Sequence, residues 1–555
     1  MDSIPSTVLA VVQLHLKALL YWFNEEMMRR LLVRHQDHYL VRLSKMLDFG
    51  LLEKACADYH HQSGPGAPPI HTVSRLVRAL LVKYLYDLSL RQLEQSIQWD
   101  LLTKWFVGYP LFEAAPDQAT LARFEQWVIE HQHRTFFDEV LTQIDQALPE
   151  EREKPQMGDT YAMRANAASE SLTGLLRHAC QLLLKALEQA DENGLDPVKG
   201  QLDLAALFGV EDETKEFRLD RSLRKERLQQ TAIAAAHCLE QVQRYLANTP
   251  QIAAADRQTV THWLDILDKI LTDEVTIHRN QEGRIISAQE LPKQQKGSYR
   301  IASAADTDAT FRVHDDQIDF GFNVNVAATD TFIREIRADT GAQPDPVAIP
   351  DLITTQQEHH DLTPEKFIYD KAAGTGKCHA DVEKATNGQT QLVAPLVDHN
   401  KQRERFGPDD FILAPDGDSL TCPNGETSRT AYRSQSAQGR NFRFSAQQCA
   451  DCPLAQLCRR DKLAPDRMRQ VFITDHRSAL AKARTYAQTD AFQEDLKLRA
   501  TIERIIANLT RYHGARDARR RGLLKADFQA KMSATAFNIR QWMRRLDRQP
   551  LVTDP

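Results

Sequence analysis

In residues 72–108, TVSRLVRALLVKYLYDLSLRQLEQSIQWDLLTKWFVG, apolar positions return every three to four residues. That spacing puts Val77, Leu80, Leu81, Tyr84 and Leu85 on one face of an amphipathic helix, and Leu90, Leu93 and Ile97 on a second. A third helix is expected from DQATLARFEQWV, with Asp117 as its N-cap. Upstream, residues 1 to about 62 read as two or three further helices, closed by the Gly/Pro break SGPGAPP at 63–69. Residues 1–150 are thus expected to form an N-terminal helical domain, either scaffold or the carrier of a helix that enters a DNA groove.

The pattern changes near Lys154. PQMGDTYAMRANA reads as a short strand around Gly158-Asp159-Thr160. From about 169 to 295 the chain is again helical and charged, without strand alternation. Strands are expected in SYRIASA (298–304), in DATFRV, and in DFGFNVNVAAT, where VNVA alternates with period two. Residues 350–360 read as a helix, and KFIYD as a buried strand ending in Asp370. Residues from about 380 to 480 are polar and loop-rich, and the chain returns to helix from 486 to 512 and again around TAFNIRQWMRRL. Without its helical insertion (about 169–295) and its second insertion (about 380–480), the region 151–548 is a mixed α/β domain of strands and covering helices.

Composition narrows the class. With 555 residues, 42% hydrophobic and 26% charged, the chain is long enough for several cores and ordinary for a globular protein. The apolar stretch at 8–23 contains Gln13, His15 and Lys17, too polar and too short to span a bilayer. No secretion signal is recognised and eight cysteines make no disulfide framework, so a cytoplasmic location without membrane contact is expected. The net charge of −6 argues against nucleic acid, but residues 499–548 carry 13 Lys/Arg against 4 Asp/Glu. Basic residues at that density suit a phosphate backbone. AAGTGK at 372–377 imitates a phosphate loop, yet Lys371 stands where glycine is required and Cys378 where Ser or Thr is, so no nucleotide is expected.

Two aspartates end expected strands, Asp159 and Asp370, and Glu503 borders the apolar stripe Ile502, Ile505, Ile506 and Leu509. Carboxylates from adjacent strand ends share a crevice, and three of them suit a pair of Mg²⁺ ions acting on a phosphodiester. Taken alone, each acid also suits a cap or an ion pair.

The segments GDTYAMRANA, FIYDKA and RATIERIIANLTRYHGARDARRRG with FNIRQW, preceded by LVRALLVKYLYDLSLRQLEQSI and DQATLARF, decide the matter. Over about 68–546 the chain resembles bacterial insertion-sequence transposases of the DDE class, in the branch with a cysteine-rich insert. The resemblance implies a ribonuclease-H-like fold and a catalytic, metal-binding triad of Asp159, Asp370 and Glu503. It implies two Mg²⁺ (or Mn²⁺) ions, cleavage of DNA at element ends, strand transfer into target DNA, and a homo-oligomer assembled on DNA in the bacterial cytoplasm, at the nucleoid. Relatives carry a Gly-Tyr pair after the second aspartate, where this chain has Lys371, Ala372 and Ala373. Of the Tyr-Arg-Glu-Lys signature around the third acid, Arg499 and Glu503 fit, while Leu496 and Thr510 replace the tyrosine and lysine. Arg499, Arg511, Arg516, Arg519, Arg520 and Arg521 are the expected DNA contacts, the last four on a continuation of the Glu503 helix. Asp306 and Asp308 are expected to cap turns, and Arg164 and Asn166 are lesser candidates for phosphate. The alternatives are a decayed or co-opted DNA-binding protein, or a ribonuclease-H-like nuclease without strand transfer.

Cys422, Cys449, Cys452 and Cys458 lie within 37 residues of a core-poor stretch, and the CADC pair has the spacing for one tetrahedral ion. A closed structural Zn²⁺ site is expected there, with Asn424-Gly425 supplying a tight turn.

Overall fold

A computed structural model describes residues 19, 22–23, 25–60, 70–192, 194–314, 316–397, 405–435, 438–450, 452–458 and 469–548. The expected break at 63–69 lies outside the described residues. The protein is mixed α/β. Its central sheet is built on β1 (Gln156–Arg164), and a hairpin of β2 (Val275–Arg279) and β3 (Ile285–Glu290) stands apart from it. The other strands of the sheet are β4 (Thr310–His314), β5 (Gln317–Ala328), β6 (Ile333–Thr340), β7 (Lys366–Ile368) and β8 (Gln391–Val393). Their order is β4-β5-β1-β7-β8, with β6 also paired to β5. β5 runs antiparallel to β1, setting Asp159 opposite Val326, and β7 and β8 run parallel to β1.

Both faces of this sheet are covered, which explains its near-continuous apolar strands. On one face Met157, Tyr161, Met163, Val324, Val326 and Ile368 meet Ile502, Ile505 and Leu509 of the Ala500–Tyr512 helix. On the other, Phe367 and Tyr369 meet Ile349, Leu352 and Ile353 of the Ile349–His360 helix. Gly158 makes this packing possible, because a Cβ there would stand 2.6–2.8 Å from the rings of Phe367 and Tyr369.

The N-terminal helices bury Leu76, Val77, Leu80, Leu81, Phe124 and Val128 against Phe528, Met532 and Trp542 of the last helix, Leu523–Arg548. Asp117 caps its helix as expected, accepting the Thr120 N–H at 2.7 Å. The helical insertion has its own core, from Leu175 to Leu271, joined by Val275 and Ala288 of the hairpin. Residues 405–474 hold two small three-stranded sheets around Phe411, Leu420, Phe442, Phe444, Val471 and Ile473.

Three expectations need correction. Residues 298–304 form no strand: Ile301 and Ala304 join the insertion's core, and the Glu170 carboxylate accepts from Ser303 Oγ and Ala304 N. The insertion is not free of strands, since β2 and β3 lie inside it. The helix of Glu503 does not run on through the arginines. It ends at Tyr512, Gly514 takes φ +63°, and the chain turns back to β1, where Arg164 N donates to Arg516 O (2.9 Å) and Ala518 N to Arg164 O (2.8 Å). Among the described residues, no helix is long and apolar enough to cross a membrane.

Candidate active site

Asp159 projects from β1 on the face that carries Met157 and Tyr161, and its Oδ1 accepts the Thr160 N–H at 2.8 Å. Asp370 lies two residues beyond β7 and opens a short turn, its Oδ1 accepting the Ala372 N–H at 2.8 Å. Glu503 is exposed on the first turn of a helix whose buried residues Ile502, Ile505 and Leu509 seat it on the sheet. Arg499 links two of these distant segments: one guanidinium nitrogen, Nη2, is 3.8 Å from Asp159 Oδ2 and 3.7 Å from Glu503 Oε1. Burial raises the Asp159 pKa; the Thr160 N–H and Arg499 oppose the shift, and the charges of Asp370 and Asp345 add to it. Asp159 lies in the middle of β1, not at a strand end as expected; Arg499 ties Glu503 to it, and Asp370, beyond β7, is near enough to act on its charge.

Sequence reading missed a polar group behind them. Arg312 on β4 donates to Thr160 Oγ1 (2.8 Å) and Asn323 Oδ1 (3.0 Å), and stands 3.5 Å from Asp345 Oδ2. Asp345 also accepts from Asn323 Nδ2 at 2.7 Å. Tyr369 is buried, its hydroxyl has no hydrogen-bond partner among the described residues, and burial with the charges of Asp345, Asp159 and Asp370 raises its pKa well above the usual value. The available signal was alternation: in FIYD, Tyr369 faces away from Asp370, and the isolated polar Asn323 and Asn325 interrupt an apolar strand.

The arginine run divides. Arg519 pairs with Asp87, donates to Leu88 O (2.9 Å) and lies 5.5 Å over the Tyr84 ring. Arg520 pairs with the buried Glu125, which also binds Lys83 and Tyr84. These two cations tie the loop to the N-terminal helices. Arg511, Arg516 and Arg521 are exposed. Arg164 is paired with Asp517 (2.5 Å), and Asn166 donates to Arg519 O, so both act inside this loop. Asp306 and Asp308 accept the N–H groups of Gly522 and Leu523 and cap the last helix, as their expected role required.

Two family models match the sequence. One, "Transposase DDE domain", covers residues 421–543, and the other, "Transposase domain (DUF772)", covers 29–127. The chain is a DDE transposase. The first match includes Glu503, and neither reaches Asp159 or Asp370. No curated protein and no solved structure gives a significant match. The transposase class acts on DNA and generally uses divalent metal.

In this transposase, AAGTGK is a helix start. Thr375 Oγ1 accepts the Cys378 N–H (3.2 Å) to cap Gly376–Ala385, and a Cβ on Gly374 would stand 1.9 Å from Pro395 O. Cys422, Cys449, Cys452 and Cys458 line one cavity of about 20 Å³ with Phe411, Phe444 and Arg469. Burial raises the Cys458 pKa, and the other three thiols add to the shift. The expected closed zinc site is met only this far: among the described residues, no three His, Cys, Asp or Glu stand at ion-holding separation, and that holds for Asp159, Asp370 and Glu503 as well as for the cysteines. Cys422 follows a two-residue strand, and Cys449 and Cys458 lie in helices of five and four residues, elements too short to fix sulfur positions from the backbone alone.

Proposed function

We propose that the transposase cuts DNA at the ends of its insertion sequence and joins them to target DNA, using Asp159, Asp370 and Glu503 around a pair of divalent ions, Mg²⁺ or Mn²⁺. The carrying observation is the bridge by Arg499 between Asp159 and Glu503, with Asp370 near enough to shift Asp159. The donor set fits such ions: they are oxygen-seeking, and these are carboxylates from rigid elements. The buried Arg499 Nε–H, without a partner among the described residues, fits a site whose donors are completed by water or phosphate. When bound, the ions would sharpen the attacking oxygen and steady the leaving one. The chain's own part is placement. Thr160 N–H orients Asp159, Ala372 N–H orients Asp370, and the buried stripe of the 500–512 helix seats Glu503 on the same sheet.

The strand order and the mixed sense of the sheet support a ribonuclease-H-like core over 151–548, preceded by a helical domain at 1–150 that shares the work of holding DNA. Arg499, Arg511, Arg516 and Arg521 are the proposed phosphate contacts, and Arg519 and Arg520 hold their loop. The four cysteines, gathered on one cavity, suit a structural Zn²⁺. Assembly into an oligomer on DNA completes the reading.

The test is cleavage and joining of duplexes bearing the element ends in Mg²⁺. Wild type is expected to nick and to yield joined product, and Asp370→Asn to bind without cutting. Protein that binds the ends and never cuts overturns the enzymatic reading; cutting without joining leaves a nuclease.

A further inference from the structure

The proposed acid site already has a cation beside it. Arg499 stands at the junction of the Asp490–Leu498 and Ala500–Tyr512 helices, and its carbonyl accepts the Ile502 N–H at 3.1 Å. Its separations of 3.8 Å from Asp159 and 3.7 Å from Glu503 exceed hydrogen-bond length, so charge rather than directed bonding holds the guanidinium there. Its Nε is buried and without a partner among the described residues. A group held by charge alone, at a part-exposed site, is displaced readily by a stronger charge.

We propose that Arg499 is an exchangeable cation: it neutralises Asp159 and Glu503 until a divalent ion takes them, and is then released to a DNA phosphate. The inference rests on the acid-site reading above. An ion between these carboxylates would stand within a few ångströms of the guanidinium, and two positive charges at that separation repel strongly in a partly desolvated cleft. The released side chain keeps its charge and its planar fork, which suits a phosphate. Linkage then makes the effect mutual. A phosphate that draws Arg499 away strengthens metal binding, and metal strengthens DNA binding by the same factor. The transposase would hold its ions weakly until DNA is docked, which limits stray cutting.

The test is Mn²⁺ titration of the whole protein without DNA, followed by electron paramagnetic resonance. Arg499→Gln is expected to bind Mn²⁺ about tenfold more tightly than wild type, since the competing charge is gone. Arg499→Lys, which keeps the charge, is expected to stay near wild type. Asp370→Asn is expected to bind more weakly. If Asp370→Asn lowers affinity while Arg499→Gln matches wild type or binds more weakly, the exchange is overturned and the acid site stands. If Asp370→Asn leaves Mn²⁺ binding unchanged, the acid-site reading itself fails. A Lys variant that tightens as much as the Gln variant also overturns the exchange, because charge would not be the cause. A second arm measures DNA affinity with and without Ca²⁺. Wild type is expected to gain more from Ca²⁺ than Arg499→Gln does, and an equal gain overturns release to phosphate.

Discussion

The acid cleft and the cysteine cavity gather ligand-type side chains in opposite ways. Asp159, Asp370 and Glu503 come from segments far apart in the chain, each fixed by an element with a large core behind it. The four cysteines come from 37 residues, in turns and one-turn helices beside six buried apolar side chains. In the first region each acid is anchored by a large core, although among the described residues the three stand no nearer to ion-holding separation than the cysteines do. In the second the ligands are close, but the local structure is too slight to set them, so an ion there would be part of the fold. A site with mechanical backing can lose its ions and keep its shape; a site without it cannot.

The comparison is broken most completely at the cysteines. Cys449→Ser is expected to remove about one zinc per chain and open the small sheets to protease within 405–474, leaving the central sheet's unfolding midpoint in place. Equal zinc content in wild type and variant would refute the zinc site. Gly158→Ala tests the other side. A methyl pressed against Phe367 and Tyr369 should cost the central sheet about 1–3 kcal/mol in urea unfolding and leave zinc content unchanged.

The basic loop sharpens the comparison, since its charges divide between fastening and contact. Arg516→Ala with Arg521→Ala is expected to lower the slope of log DNA affinity against log salt by about 2 units without loss of stability. Arg519→Ala should do the reverse, loosening the loop from Asp87 and Tyr84 with little change of slope. The smallest effect concerns acid. Burial and the charges of Arg540 and Arg544 depress the His513 imidazole to about 3. Unfolding restores an ordinary value near 6.5, so the unfolded chain takes up a proton that the fold refuses. Stability is therefore unaffected above about pH 6.5 and falls below it, by roughly 1–2 kcal/mol at pH 5. His513→Gln should flatten that part of the profile.

How much was legible follows the same division. The amphipathic faces at Val77–Leu85 and Ile502–Leu509, the cap at Asp117 and the Ile349–His360 helix are periodic over many residues, and the pattern carried them. The three acids were singled out through the resemblance, not through spacing; their nearness to one another is seen in the fold, whereas the strand end expected for Asp159 is not, since β1 runs on to Arg164. Arg312, Asp345 and Tyr369 were not legible, since their meeting depends on β4, β5 and β7 lying side by side. The strands at 412–413, 420–421 and 427–428 are too short to alternate. The arginine run read as one surface because charge density does not reveal partners: Asp87 and Glu125 lie far away in the chain.

The return of the chain at Arg516–Ala518 pins the basic loop beside Arg164, the last residue of β1. An extended strand is stiff under tension because its covalent chain has little length left to give, and two crosswise hydrogen bonds couple the loop to it. If Arg516 holds DNA as proposed, a pull on it would reach, through those two hydrogen bonds, the strand that carries Asp159, and the loop would serve as a tendon between duplex and acid.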